Sequence, residues 1–409
     1  MRTAGAIVAA GLVTAAAAVF ARDWREATTA ALVEERVRPD EPGVAVLVRQ
    51  DGKTIVARGF GVRDLRSRDR IGPDTAFRLA SVTKQFTATA VMLLVRDGKL
   101  RYDDALTDVF PAFPAYGRRI TIRHLLTHTS GLPDYETLMD AAEKGRAPIW
   151  TADRQIHDDE VLALLRGETK GRFEPGTSWA YSNSGYVVLG LVVARVSGKP
   201  FPDFLRERIF RPLEMTRTLA YEKGKNDVQE RAFGHTKEDG RFQEADQSPT
   251  SATLGDGGVY STIEDLAKWD EGLRANALLS PAWMKPATTP VTLVDGSRPR
   301  WPAEPGDDNL APGEPVAYGF GWFLDPWRGR PRMWHHGSTR GFRAAIERFT
   351  EDGVTVVVLA NRDDLDLRDL AVQIVKPYLE LPLQTSDDGG PFGTGQRIPR
   401  DRADGSRSE

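Results

Sequence analysis

The sequence predicts an α/β fold of the α+β kind: an antiparallel sheet flanked by the N- and C-terminal helices, with a large, mostly helical insertion beside it. Three observations carry this. Strand-like apolar runs gather at two distant places, residues 44–59 and 318–361. Each place holds an Asp-Gly pair, Asp51-Gly52 and Asp352-Gly353, the turn chemistry that joins neighbouring antiparallel strands. Between about Ala76 and Gly313 the pattern is helix and loop, so the two strand groups meet only if the middle packs aside.

The elements follow in order. Met1-Arg2-Thr3 and the uncharged, Ala-rich run from Ala4 to Ala21 read as a secretory signal over residues 1–21, cleaved near Ala21. An uncleaved anchor is the alternative, and both readings place the remainder outside the cytoplasm, periplasmic or secreted. Asp23 to Arg38 reads as a helix, with Ala30, Val33 and Val37 on one side. Val44 to Arg49 and Lys53 to Gly59 form a hairpin. Downstream, Tyr318 to Leu324, Arg332 to His336, Phe342 to Thr350 and Val354 to Asn361 read as strands, and Leu365 to Leu379 as the closing helix. The folded domain is expected over 22–384, its sheet part about 22–75 and 314–384, its helical part about 76–313. Residues 385–409 are Asp, Gly, Arg, Ser and Pro with almost nothing apolar, and read as a disordered tail.

Composition narrows function. The chain has 409 residues, 40% of them hydrophobic, a globular mixture. With 55 basic and 58 acidic residues the net charge is −3, which gives no basic excess for nucleic acid. Cys is absent, which removes disulfides, thiolate metal sites and a Cys nucleophile.

Three polar motifs remain. Ser81-Val82-Thr83-Lys84 opens an apolar helical segment and is the sole S-x-x-K. Positions i and i+3 share a helix face, so Lys84 reaches the Ser81 hydroxyl. Burial there favours a neutral amine that accepts its proton. Tyr181-Ser182-Asn183 precedes a second apolar helix, Val187 to Val196. A phenol beside an ammonium relays protons, and the Asn183 amide both donates and accepts. His335-His336-Gly337-Ser338 lies on a strand, where Gly337 admits a substrate backbone and the Ser338 N–H joins that of Ser81 as an oxyanion donor. Each motif alone also has a structural reading: Ser81 or Asn183 as an N-cap, Lys84 solvated, Tyr181 and His335 in the core.

In this order the motifs resemble the serine β-lactamase and penicillin-binding protein superfamily, in its class C-like branch of β-lactamase-related serine hydrolases. The segments Leu125 to Leu132 and Asp256 to Ala267 resemble that branch too. The resemblance implies a Ser81 acyl-enzyme, proton transfer shared by Lys84 and Tyr181, and a substrate held by Asn183, His335, Gly337 and Ser338. It implies no cofactor and no metal, and a small ester, amide or peptide-like substrate. Members that are true class C β-lactamases carry Lys where this chain has His335, so esters or D-amino-acid amides are expected ahead of β-lactams. A penicillin-binding sensor that acylates with little turnover is the alternative. A zinc hydrolase built on His124 and His128 lacks the Glu of H-E-x-x-H, and no G-x-S-x-G elbow marks an α/β-hydrolase.

Overall fold

The computed structural model describes residues 24–302 and 312–379. The signal reading for 1–21 and the tail reading for 385–409 lie outside the described residues. Helix α1 (24–34) leads into strands β1 (Val44–Gln50) and β2 (Lys53–Phe60). Far downstream come β3 (Met333–Thr339), β4 (Phe342–Phe349), β5 (Val354–Ala360) and a closing helix, Leu367–Leu379. These strands form one antiparallel sheet in the order β2-β1-β5-β4-β3. The two halves of the chain are sewn together where Val44 faces Ala360 and Gln50 faces Val354. At the β1–β2 turn, Asp51 and Gly52 both take positive φ, 50° and 78°, as a two-residue hairpin demands.

Alternation along the central strands explains their unbroken apolar runs. Val44, Val46 and Val48 of β1 and Val354, Val356 and Val358 of β5 pack with Val33, Val37, Leu370 and Ile374 of the terminal segments. Their neighbours Ala45, Leu47, Val357 and Leu359 join the core of the helical part instead. A strand covered on both faces has no polar side to show.

Three helices of the middle region place the chemistry. Helix α2 (Lys84–Arg96) is buried from Lys84 through Leu94 and packs on α3 (Asn183–Ser197). The Ser182 hydroxyl caps α3 by accepting the Gly185 N–H at 3.0 Å, and Gly198 ends it at φ 71°. Helix α4 (Ile263–Arg274) lies against β1 and β5; the closing helix Leu367–Leu379 is α5.

The sequence reading is corrected in several places. Tyr318 to Leu324 is not a strand; only isolated bridges form there, Tyr318 to Phe323 and Phe323 to Trp334. A Cβ on Gly319 would stand 1.9 Å from the Ala287 carbonyl oxygen, and Gly321 turns at φ 76° against the Lys84 carbonyl. The segment is a tight turn that inserts beneath α2. Helix α1 ends at residue 34, although Val37 is still buried. The middle also holds short strands, Phe77–Arg78, Leu219–Ala220 and Val259–Ser261, in a three-stranded sheet, and a hairpin of His235–Glu238 with Arg241–Glu244. The hairpin strands are polar, so periodicity missed them, but Asp239-Gly240 at their turn is a legible signal.

Candidate active site

Ser81 sits in a 3₁₀ turn, Ala80–Thr83, immediately before α2. Ala80 holds φ 47°, a left-handed conformation that L residues other than Gly, Asn and Asp seldom adopt. The turn is tied down on both sides: Leu79 N–H donates to the Val259 carbonyl at 2.9 Å, and Thr83 Oγ1 accepts the Val259 N–H at 3.1 Å. Ser81 is therefore presented by a strained, anchored turn and caps no helix.

Lys84 is fully buried. Its Nζ donates to Ser81 Oγ at 3.0 Å, to Asn183 Oδ1 at 2.8 Å and to the Asp256 carbonyl at 3.0 Å. Three acceptors match the three hydrogens of an ammonium. Because Ser182 caps α3, the Asn183 side chain is left for Lys84. The Nζ also lies 4.8 Å from the centre of the Tyr181 ring and 5.6 Å from that of Tyr186, within cation–π range.

His128 stands behind Tyr181, ring centres 4.4 Å apart, with its own backbone at φ 60°. Its Nδ1 accepts the Ser182 N–H at 3.1 Å, so the loop 127–131 fixes the Tyr181-Ser182-Asn183 segment. Burial, and then the nearby Lys84 charge, pushes His128 well below the ordinary His range, and it is neutral at physiological pH. His124 is occupied elsewhere, accepting the Thr121 N–H at 3.1 Å. Among the described residues no group of His, Asp and Glu gathers to hold a metal.

The cleft above Ser81 measures about 990 Å3 and is lined by Tyr181, Asn183, Gly337 and Ser338, among others. His335 is not on its wall. It is buried among Tyr181, Tyr318 and Phe323, with Nδ1 bonded to the His336 carbonyl at 2.7 Å. Burial and the Lys84 charge hold it well below the usual range, so it is neutral. The expectation of His335 as a substrate contact is corrected: strand alternation turns it inward and turns His336 to the cleft. His336 Nε2 lies 3.0 Å from Glu347 Oε1, a carboxylate also held by Arg332 at 3.0 Å.

Gly337 has a different reason from the one its sequence suggests. A Cβ there would lie 2.2 Å from the Leu79 carbonyl oxygen and 3.1 Å from the Ser81 nitrogen. The close approach is between β3 and the nucleophile turn, not between β3 and substrate alone. Gly337→Ala is expected to push strand and turn apart and cost at least about 10²-fold in kcat/KM, since ångström misplacements have that effect. Ester turnover by a variant with an unchanged melting curve measures it.

The edge of β3 supports the Ser338 reading. Arg340-Gly341 closes a two-residue hairpin between Thr339 and Phe342, and the flanking pair of such a hairpin is hydrogen-bonded across the strands. Alternation then turns the N–H and C=O of Ser338, His336 and Trp334 away from β4. Trp334 confirms the parity, exchanging both bonds with Phe323 on the outer side, at 2.9 and 3.0 Å. Ser338 N–H thus faces the cleft. Sequence reasoning missed Asp256 as the third anchor of Lys84, and the acidic wall of Asp134, Glu136 and Asp140. Asp256 lies in a segment that was noticed, Asp256-Gly257-Gly258, but its contact runs through the backbone, which no residue type betrays.

Comparisons with known proteins bear on the family and the fold. The family model described as Beta-lactamase matches residues 29–376. Penicillin-binding protein 4* of Bacillus subtilis (strain 168) is 30% identical over 333 residues, covering 78% of this chain and 68% of that protein. The structure of an octameric penicillin-binding protein homologue from Pyrococcus abyssi superposes with a TM-score of 0.69 at 26% identity, covering 86% of this chain and 76% of that one. A D-amino acid amidase from Ochrobactrum anthropi SV3, solved with L-phenylalanine amide, gives a TM-score of 0.70 at 25% identity over 87% and 98% of the two chains.

Proposed function

The chain belongs to the Beta-lactamase family, and from that premise we propose that it is a class C-like serine hydrolase cleaving small esters or amides through a Ser81 acyl-enzyme. One observation carries the reading: Ser81 Oγ lies 3.0 Å from a buried Lys84 that Asn183 and the Asp256 carbonyl hold in place, beneath an open cleft. In acylation Ser81 Oγ attacks the substrate carbonyl, and its proton passes to the Lys84–Tyr181 pair, which returns one to the leaving group. Charge builds up on the carbonyl oxygen between the N–H groups of Ser81 and Ser338. Water then releases the acyl group, with Tyr181 in the proton-transfer role. The leader-like composition of residues 1–21 supports a periplasmic or secreted location.

The position of His335 bears on substrate choice. A charged hydrogen bond to a substrate carboxylate is worth about 1.5–3 kcal/mol, and position 335, enclosed behind the cleft wall, brings no cation to make one. A neutral, enclosed imidazole offers none. Short-chain p-nitrophenyl esters are therefore expected to exceed nitrocefin in kcat/KM by about tenfold or more. A purified enzyme that favours nitrocefin over every ester tried would overturn this.

A further inference from the structure

One buried polar side chain of α2 has no part in acyl transfer. Thr87 is fully enclosed beside Phe86, Ala88 and Val91, and it is not on the wall of the cleft. A buried hydroxyl is costly unless it is bonded, and within a helix its ready acceptor is the carbonyl four residues back. Thr89, two residues on, takes that acceptor, donating to the Gln85 carbonyl at 2.8 Å. Thr87 does not. Its Oγ1 donates across to the Gly255 carbonyl at 2.6 Å.

That bond is one of three between the start of α2 and a single stretch of chain, residues 255–259. Thr83 Oγ1 accepts the Val259 N–H at 3.1 Å, Lys84 Nζ donates to the Asp256 carbonyl at 3.0 Å, and Thr87 closes the far end. Thr83 and Thr87 are four residues apart and share a helix face, so the stretch runs antiparallel to α2 along that face. It is held from behind as well. A Cβ on Gly255 would stand 2.2 Å from the Tyr186 carbonyl oxygen, so this backbone lies directly against α3. Asp158, the first residue of the helix Asp158–Gly167, accepts the Leu254 N–H on Oδ1 at 3.0 Å. The Asp256 carbonyl is thus one residue away from a carbonyl that α2 itself grips.

We propose that Thr87 is a positioning residue for Lys84: its bond to Gly255 aims the next carbonyl, that of Asp256, at Nζ and so sets where the amine stands relative to Ser81 Oγ. The proposal rests on the Ser81 acyl-transfer reading and adds to it a residue that touches neither substrate nor nucleophile. Three bonds at Nζ define a point. With the Asp256 carbonyl displaced, Ser81 Oγ and Asn183 Oδ1 leave the amine free to swing about the line between them. A misplacement of about 1 Å at a reacting centre costs about 10²-fold.

The test separates shape from hydrogen bonding. Thr87→Val keeps the side-chain volume and removes the donor, whereas Thr87→Ser keeps the donor and removes a methyl group. The full chain is inactivated with a fluorophosphonate, with kinact and KI measured separately and the final labelling stoichiometry counting the folded sites. Thr87→Val is expected to lower kinact by about tenfold or more, with KI and stoichiometry unchanged. Thr87→Ser is expected to melt at a lower temperature yet keep most of kinact. A Val variant as fast as the natural protein, or a Ser variant as slow as the Val one, overturns the positioning role. If Thr87→Val fails to fold, Asp158 decides, because it holds the same stretch at Leu254. Asp158→Ala is then expected to lower kinact, and Asp158→Asn, which keeps an acceptor oxygen, to restore it. An unchanged rate in Asp158→Ala overturns the role. Stoichiometric labelling of Ser81→Ala would instead overturn the acyl-transfer reading beneath it.

Discussion

Ser81→Ala is expected to abolish labelling by fluorophosphonate and penicillin probes and to lower ester hydrolysis by on the order of 10⁴-fold or more, as loss of a nucleophile does in other serine hydrolases. Lys84→Ala should cost at least about 10²-fold, because one member of the Lys84–Tyr181 pair that takes and returns the proton is gone. The two losses should not add. With Ser81 absent, Lys84 has no hydroxyl to activate, and the double variant should be no slower than Ser81→Ala alone. Lys84 removal also strips the donors from Asn183 Oδ1 and the Asp256 carbonyl, so melting curves must accompany the kinetics. Correctly folded Ser81→Ala that still turns over would exclude the mechanism. A single burst of p-nitrophenol from the natural enzyme, with no later turnovers, would favour the sensor reading over the hydrolase.

What the sequence disclosed about this site follows the range of its contacts. Ser81 and Lys84 are three residues apart on one turn, so their 3.0 Å contact follows from local geometry. Lys84 and Asn183 are 99 residues apart, and only the order of the motifs, read as a resemblance, joined them. His335 and His336 are adjacent and chemically identical. Which of them faces the cleft depends on strand parity, and parity is set by the Arg340-Gly341 turn and the pairing with β4. Strands β1 and β5 were legible because both faces are covered, leaving nearly unbroken apolar runs, and the Asp-Gly turns tied β2 and β4 to them. Tyr318 to Leu324 carries the same apolar-aromatic composition and misled for that reason; its glycines at 319 and 321 were the contrary signal. The buried charges under the sheet left no periodic trace at all.

Those charges carry the largest expected effect on stability. Asp270, on α4, is 3% exposed and binds two arginines from the sheet: Arg49 of β1 at 2.6 Å and Arg348 of β4 at 2.8 Å. Thr355 of β5 donates to the same carboxylate at 2.7 Å. One side chain thus clamps a helix to three strands. Asp270→Ala removes the carboxylate that two buried guanidiniums share, and removal of one partner of such a group costs about 3–5 kcal/mol. Urea unfolding of the full chain should show a lower midpoint of that equivalent, with the slope retained if the native state is otherwise intact. Arg49 has other acceptors, the Ala267 carbonyl at 2.7 Å and Glu271 at 3.0 Å, whereas Arg348 has only the Met333 sulfur at 3.9 Å among the described residues. The stranded charge is therefore mainly Arg348. A second change, Arg348→Met in the Asp270→Ala background, should recover part of the loss, since an apolar side chain avoids the desolvation of an unpaired cation. If the double variant is no more stable than Asp270→Ala, the cost lies in the packing of α4 and not in the orphaned charge.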